Sequence, residues 1–225
     1  MIKNHERIGA LANKYITITN YCKPGSIVFD VDADDEWIGR QLMKLMNTFY
    51  QASNKWFIYT NFVQHSENNI GIGFSTEIKK ETLEANVYRT APEWCTSHLK
   101  TYLRDLYVKI PKEYFIEEGK KFYFRVSDRF QMYALVELAG PKNIKFVPDL
   151  VYWYYWSSFS RATTPCFYEE VTYYEYVARK QTPLLPLNSL DDEARSTPNY
   201  VLPPNIKDSL QRSEKSYRLC RASVK

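Results

Sequence analysis

Ile27-Val28-Phe29-Asp30-Val31-Asp32-Ala33-Asp34-Asp35-Glu36-Trp37-Ile38 is the stretch on which the fold turns. Ile27 to Phe29 is a short, continuously apolar run, which reads as a buried strand of a parallel sheet. Four carboxylates follow within six residues, at Asp30, Asp32, Asp34 and Asp35. Ile38, Leu42, Leu45 and Phe49 then recur at helical spacing, so the acidic run lies between a strand end and a helix opening near Trp37. Parallel sheets place their binding crevices at the carboxyl ends of strands. Carboxylates crowded there repel one another unless a cation or a donor intervenes. Hard divalent ions take such oxygens, often one or two carboxylates together with substrate phosphates. In an extended or turning segment Asp32 and Asp34 can face the same side while Ala33 faces away. Asp34 is therefore the expected metal ligand, and Asp32 the expected partner of a ribose hydroxyl or a metal-bound water. Asp35 and Glu36 could instead cap the following helix, where free N–H groups and the helix dipole favour acids. A capping turn with no ligand is the plain alternative.

Outward from this stretch, Gly9 to Thr19 reads as a short helix and Lys23-Pro24-Gly25-Ser26 as a turn. Trp56 to Phe62 is a second strand, and Glu67 to Thr76, with Gly71 and Gly73, a loop or hairpin tip. Ser97 to Val108 reads as helical, with Leu99, Leu103 and Leu106 on one side. Ile116 to Gly119 is a turn, and Arg129 to Ala139 a helix with Phe130, Ala134, Leu135 and Leu138 as its apolar face. Ile144 to Val147 and Leu150 to Trp156 are strand-like around Pro148, and Glu169 to Lys180 is a last helix or strand. Strand, acidic turn, helix, strand and helix in succession predict an α/β fold. After Lys180 the character changes: Pro183, Pro186, Pro198, Pro203 and Pro204 interrupt a stretch without periodicity. The expected organisation is one domain over 1–180 and a poorly ordered basic tail over 181–225.

The 225 residues (26.7 kDa) suit one globular domain with an appendage, and 44% hydrophobic residues allow a packed core. A formal charge of +4 without a basic-aromatic cluster argues against nucleic acid. Gly71-Ile72-Gly73 lacks the Lys-Ser/Thr of a phosphate-cradling loop, and Ser97-His98 has no nucleophile elbow. Cys22, Cys95, Cys166 and Cys220 are far apart and show no zinc spacing, so free thiols in a reducing compartment are expected. There is no apolar leader and no run long enough to span a membrane, which gives a cytoplasmic expectation.

The residues from Ile27 to Ile38, preceded by Lys23-Pro24-Gly25, resemble glycosyltransferase family 2, the inverting nucleotide-sugar enzymes of GT-A type. The family pattern is a Gly-Asp pair, an apolar strand and Asp-x-Asp-Asp-Trp. Gly9-Ala10-Leu11-Ala12-Asn13 is similar to the family's small-residue helix ending in Asn, with Ala12 in place of the usual Arg. Trp94-Cys95-Thr96-Ser97-His98-Leu99-Lys100-Thr101-Tyr102 resembles a His-Leu-Arg-Thr-Phe segment of a subset of members. Ser127 to Gly140 resembles the acidic-helix segment that ends in Glu-apolar-Ala-Gly. The matches run in order over roughly residues 8 to 156.

The resemblance implies a partial GT-A fold with a mixed, mostly parallel sheet and flanking helices. It implies Mn2+ or Mg2+ held by Asp34, with Asp32 as its partner at a nucleotide-sugar donor. Asp128 falls at the catalytic-base position, or caps the helix that follows it. His98 and Trp94 are implied on the substrate side, each with an ordinary structural role as its alternative. Tyr152 and Tyr154-Tyr155 lie where members often carry Tyr-x-Tyr-Asn, with Tyr155 in the Asn place. The acceptor is a hydroxyl of a carbohydrate, lipid or protein. Members begin with further strand–helix units ahead of the small-residue helix, so the chain reads as a fragment of a larger transferase, or else as a degenerate member. A non-catalytic interaction protein or a carbohydrate-binding module on the same truncated fold is the competing reading.

Overall fold

The computed structural model describes residues 4–66, 69–119, 121–155 and 165–224. Helix α1 (Ala10–Tyr21) leads into strand β1 (Ile27–Asp30). Between them Ser26 N donates to Lys23 O at 3.2 Å, and Gly25 takes φ 75°, which a glycine adopts without strain. β2 (Glu36–Trp37), α2 (Leu42–Ser53), β3 (Phe57–Ser66) and β4 (Asn69–Ile72) follow. Then come α3 (Lys80–Glu84), β5 (Lys100–Leu103), α4 (Arg104–Tyr107), the small hairpin β6 (Ile116–Glu117) and β7 (Lys121–Phe122), and α5 (Ser127–Ala139). β8 (Ile144–Tyr155), α6 (Phe167–Lys180) and α7 (Pro204–Ser223) complete the described elements. The predicted strand end at Trp156 lies outside the described residues.

The α/β class holds, and the main sheet is mixed, in the order β1-β5-β3-β8-β2 with β4 on β3. Its two longest strands, β3 and β8, pair in parallel, and the register shifts at Thr60/Asn61 where Pro148 and Asp149 interrupt β8. β1 runs in the direction of β3 and β8, while β5, β2 and β4 run against them. β1 is not flanked by parallel strands: it pairs antiparallel with β5 at the end of the sheet, and Ile27, Val28 and Phe29 are only half-buried. The expected helix over Ser97–Val108 is instead β5 followed by the single turn α4. Thr101 and Tyr102 pair with Ile58 and Phe57, so strand pairing with β3 overrides the leucine spacing. The helix after the acidic run begins at Leu42, because Glu36 and Trp37 pair with Trp153 and Tyr152.

α2 packs Leu42, Met46 and Tyr50 on one side of the sheet, against Ile58, Phe62 and Val151. The larger core on the other side is built around α5, in which every residue from Phe130 to Ala139 is buried. Such all-round burial needs partners for the polar members. Glu137 has one in Arg89, Nε to Oε1 and NH2 to Oε2 each at 2.7 Å, with both side chains fully buried. Arg89 also donates to Ala178 O at 2.7 Å, and Leu184 N donates to Glu137 at 3.0 Å. Burial opposes both charges, and Glu137 holds the Arg89 guanidinium above its ordinary pKa. This one pair joins α5 to α6 and to the segment after residue 181.

That segment is not an unordered tail. Leu184 and Leu187 enter the α5 core, and Leu187 N donates to Leu138 O at 2.9 Å. Gly140, at φ 61°, ends α5 where an added Cβ would come within 2.8 Å of Pro186. α7 lies on α6, with Tyr217 stacked on Tyr173 at 5.2 Å. Cys166 and Cys220 are disulfide-bonded, which corrects the expectation of four free thiols; Cys22 and Cys95 are free. Spacing alone carried no signal for this pair, because α6 and α7 bring together residues that are 54 apart in sequence. Among the described residues no helix is long and apolar enough to cross a membrane.

Candidate functional site

Where β1 ends, Asp30 turns inward and the residues after it turn outward. Asp30 is buried, paired with Lys14 Nζ of α1 at 2.7 Å, and accepts a hydrogen bond from Gln131 Nε2 of α5. Burial works against its charge, but Lys14 and then Lys100 bring its pKa below the ordinary carboxylate value. Burial likewise opposes the Lys14 ammonium, yet Asp30, then Asp32 and Asp128, hold its pKa above the ordinary lysine value. The carboxylates of β1, the acidic turn and the start of α5 therefore all act on one ammonium.

Asp32 to Asp35 form a turn closed by Asp35 N donating to Asp32 O at 3.2 Å. Tyr152 links both ends: Asp32 N donates to its hydroxyl at 3.1 Å, and that hydroxyl donates to Asp35 Oδ2 at 2.8 Å. Tyr155 N donates to Asp35 Oδ1 at 2.9 Å. Burial raises the Asp35 pKa, with Asp32 and Asp34 adding to the rise against these hydrogen bonds.

His98 approaches from the loop before β5. Its ring stacks on Tyr152 (5.0 Å, 4°) and Tyr154 (4.6 Å, 16°) and meets the edge of Phe62 at 5.5 Å. Burial, and then the charge of Lys100, hold its pKa down to about 3, so the imidazole is neutral at pH 7. Its Nδ1 is buried without a hydrogen-bond partner among the described residues. One ligand atom each from Asp32, Asp35 and His98 lie within 4.8 Å of one another. A neutral imidazole with an unused nitrogen beside two carboxylates fits a divalent cation.

The expected residues are thus only partly brought together. Asp32 and His98 meet, Asp34 is exposed and stands outside the group, and Asp35 joins instead of capping α2. Asp128 lies in the first turn of α5 but is not its N-cap, which is Val126. Among the described residues its carboxylate has no hydrogen bond or ion pair, and its charge is felt by both Lys14 and His98. Trp94 is covered on one face by the Arg129 guanidinium, 3.7 Å from the ring centroid, and packs against Tyr133 at 5.5 Å. A cavity of 610 Å³ lined by Tyr59, Ile78, Leu83, Ile144 and Phe146 lies apart from the acidic turn. Lys14 and Asp35 join these residues without a motif in the sequence that marks them for it. The Asp30–Lys14 pair has no sequence signal beyond two charges on neighbouring elements.

No protein-family profile and no curated protein matches the chain. Among solved structures it is similar to S. aureus TarS 1-349, at 17% identity and a TM-score of 0.44, over 76% of this chain and 44% of that one. It is similar also to S. aureus TarS 1-349 in complex with UDP-GlcNAc, at 17% identity and a TM-score of 0.47, over 76% and 47% of the two chains. The chain spans less than half the length of these structures.

Proposed function

We propose that the chain binds a nucleotide-sugar through a divalent cation and takes part in inverting transfer of the sugar to a hydroxyl acceptor, as part of a larger enzyme. The observation that carries this reading is the approach of Asp32, Asp35 and His98 to within 4.8 Å of one another beside the end of β1. The run of family-like motifs from residue 9 to residue 140 supports the same chemistry. The half-buried apolar edge of β1 supports a further strand covering it.

Two carboxylates and an imidazole suit manganese better than magnesium, which prefers oxygen donors. When bound, the ion neutralises charge on a departing nucleoside diphosphate. Tyr152 and Tyr155 fix the Asp35 carboxylate by hydrogen bonds, and the stacked tyrosines hold the His98 ring. Asp128, with no hydrogen-bond or ion-pair partner among the described residues, takes the proton of the acceptor hydroxyl as that oxygen attacks the anomeric carbon.

The test separates binding from turnover. UDP-GlcNAc, the nucleotide-sugar present in one TarS crystal structure, is supplied with manganese and its binding and sugar release are measured. Asp128→Asn is expected to keep manganese-dependent binding while sugar release falls about 100-fold or more. Unchanged release in that variant overturns the base assignment. Wild-type chain that binds no nucleotide-sugar with manganese overturns the reading and favours a non-catalytic interaction protein, to which an acidic turn exposed at Asp32 and Asp34 is also suited.

A further inference from the structure

Among the described residues five charged ones are buried: Asp30, Arg89, Lys100, Glu137 and Arg179. Four have a counter-charge in contact, Asp30 with Lys14, Arg89 with Glu137, and Arg179 with Glu175. Lys100 does not. It is 4% exposed, yet among the described residues its ammonium has no hydrogen bond and no ion pair. A lysine so largely covered, with no contacting counter-charge, leaves its ammonium donors open to an anion arriving from solvent.

Its surroundings show where a counter-charge would come from. Lys100 opens β5 directly opposite Asp30 in the β1–β5 register, and lies two residues after His98. The buried carboxylate opposite it, Asp30, is already engaged by Lys14 and Gln131. The Lys100 nitrogen is not sealed in, unlike His98 Nδ1. Lys100 thus lies beside the strand end from which the acidic turn departs. An oxyanion seated there would pair with Lys100 while also meeting a cation held by Asp32, Asp35 and His98.

We propose that Lys100 is the anion-binding residue of this site, and that its ligand is a diphosphate. For the nucleoside attached to that diphosphate the assignment rests on the reading of the previous subsection; for the anion itself it rests on Lys100 alone. An ammonium with three donors suits an anion that must both bind and leave, since it acts as a point charge without a fixed fork.

Inorganic pyrophosphate and UDP, each with manganese, are titrated calorimetrically into the wild-type chain, Lys100→Met and Lys100→Arg. Lys100→Met is expected to weaken both ligands about tenfold or more, and Lys100→Arg to stay within about threefold of wild type. Manganese alone should bind Lys100→Met no more weakly than wild type. Because a buried methionine could disturb folding, wild-type chain labelled with 13C at lysine Cε is also titrated with pyrophosphate. The resonance missing from Lys100→Arg is expected to shift. Undiminished UDP binding by a folded Lys100→Met overturns the Lys100 assignment and leaves the transferase reading in place. Pyrophosphate binding that Lys100→Met loses, with no UDP binding by wild type, overturns the transferase reading and keeps the anion site. Wild type that binds neither, with the Lys100 resonance unmoved, overturns the assignment.

Discussion

Asp35 N donates to Asp32 O at 3.2 Å, and this turn decides which acids face His98. It carries Asp35 back beside Asp32 and leaves Asp34 in solvent. Asp35→Asn is therefore expected to weaken manganese binding about tenfold or more, while Asp34→Asn stays within about twofold. Calorimetric titration of manganese distinguishes the two. Equal losses in both variants would mean that the turn opens when the ion binds.

His98 gives the fold a pH dependence of defined sign. Its pKa falls from 6.5 to about 3 in the folded chain, so between these values the unfolded chain binds the extra proton. Stability is complete above about pH 6.5 and is lost as pH falls, at no more than about 1.4 kcal/mol per pH unit. Urea unfolding at pH 7 and pH 4.5 measures the loss. His98→Gln should reduce it, and an equal loss in that variant would assign the acid sensitivity elsewhere.

Arg89 and Glu137 tie α5, α6 and the segment at Leu184 together, so breaking the pair should be severe. Arg89→Met leaves a buried carboxylate and is expected to cost about 3–5 kcal/mol in urea unfolding. Adding Glu137→Leu should recover a substantial part, because no uncompensated charge then remains. A double variant no more stable than Arg89→Met would place the cost in packing.

The Cys166–Cys220 bond closes a loop across 54 positions and holds α7 on α6. Chain entropy puts its contribution at about 4 kcal/mol at most. A dithiol reductant should lower the melting temperature of the wild type and leave Cys166→Ser/Cys220→Ser unchanged. Four titratable thiols in the unreduced, denatured protein would contradict the bond.

Much of the architecture was legible in local pattern. α1, α5 and both long strands lie close to where apolar periodicity and turn residues put them. Ser97–Val108 misled because Leu99, Leu103 and Leu106 happen to fit a helical spacing, whereas Thr101 and Tyr102 are drawn into the ladder by β3. Prolines after Gln181 suggested an unordered end, but Pro186 sits against Gly140, and Leu184 and Leu187 supply apolar burial. Asp32 and His98, both singled out by the sequence, lie together in the candidate site. Alternation of faces points to Asp34, whereas the turn closed by Asp35 N on Asp32 O brings Asp35 beside Asp32 instead. The partners of Asp30 and Glu137 come from elements far apart in sequence, and no local pattern encodes them.

The sharpest test of the site is the spin-echo spectrum of manganese bound to the chain, recorded with natural and with 15N-labelled histidine. Coordination by His98 predicts a nitrogen modulation that changes with the label and disappears in His98→Gln. A spectrum showing oxygen ligands alone, or a nitrogen signal that survives His98→Gln, would contradict the proposed metal site at Asp32, Asp35 and His98.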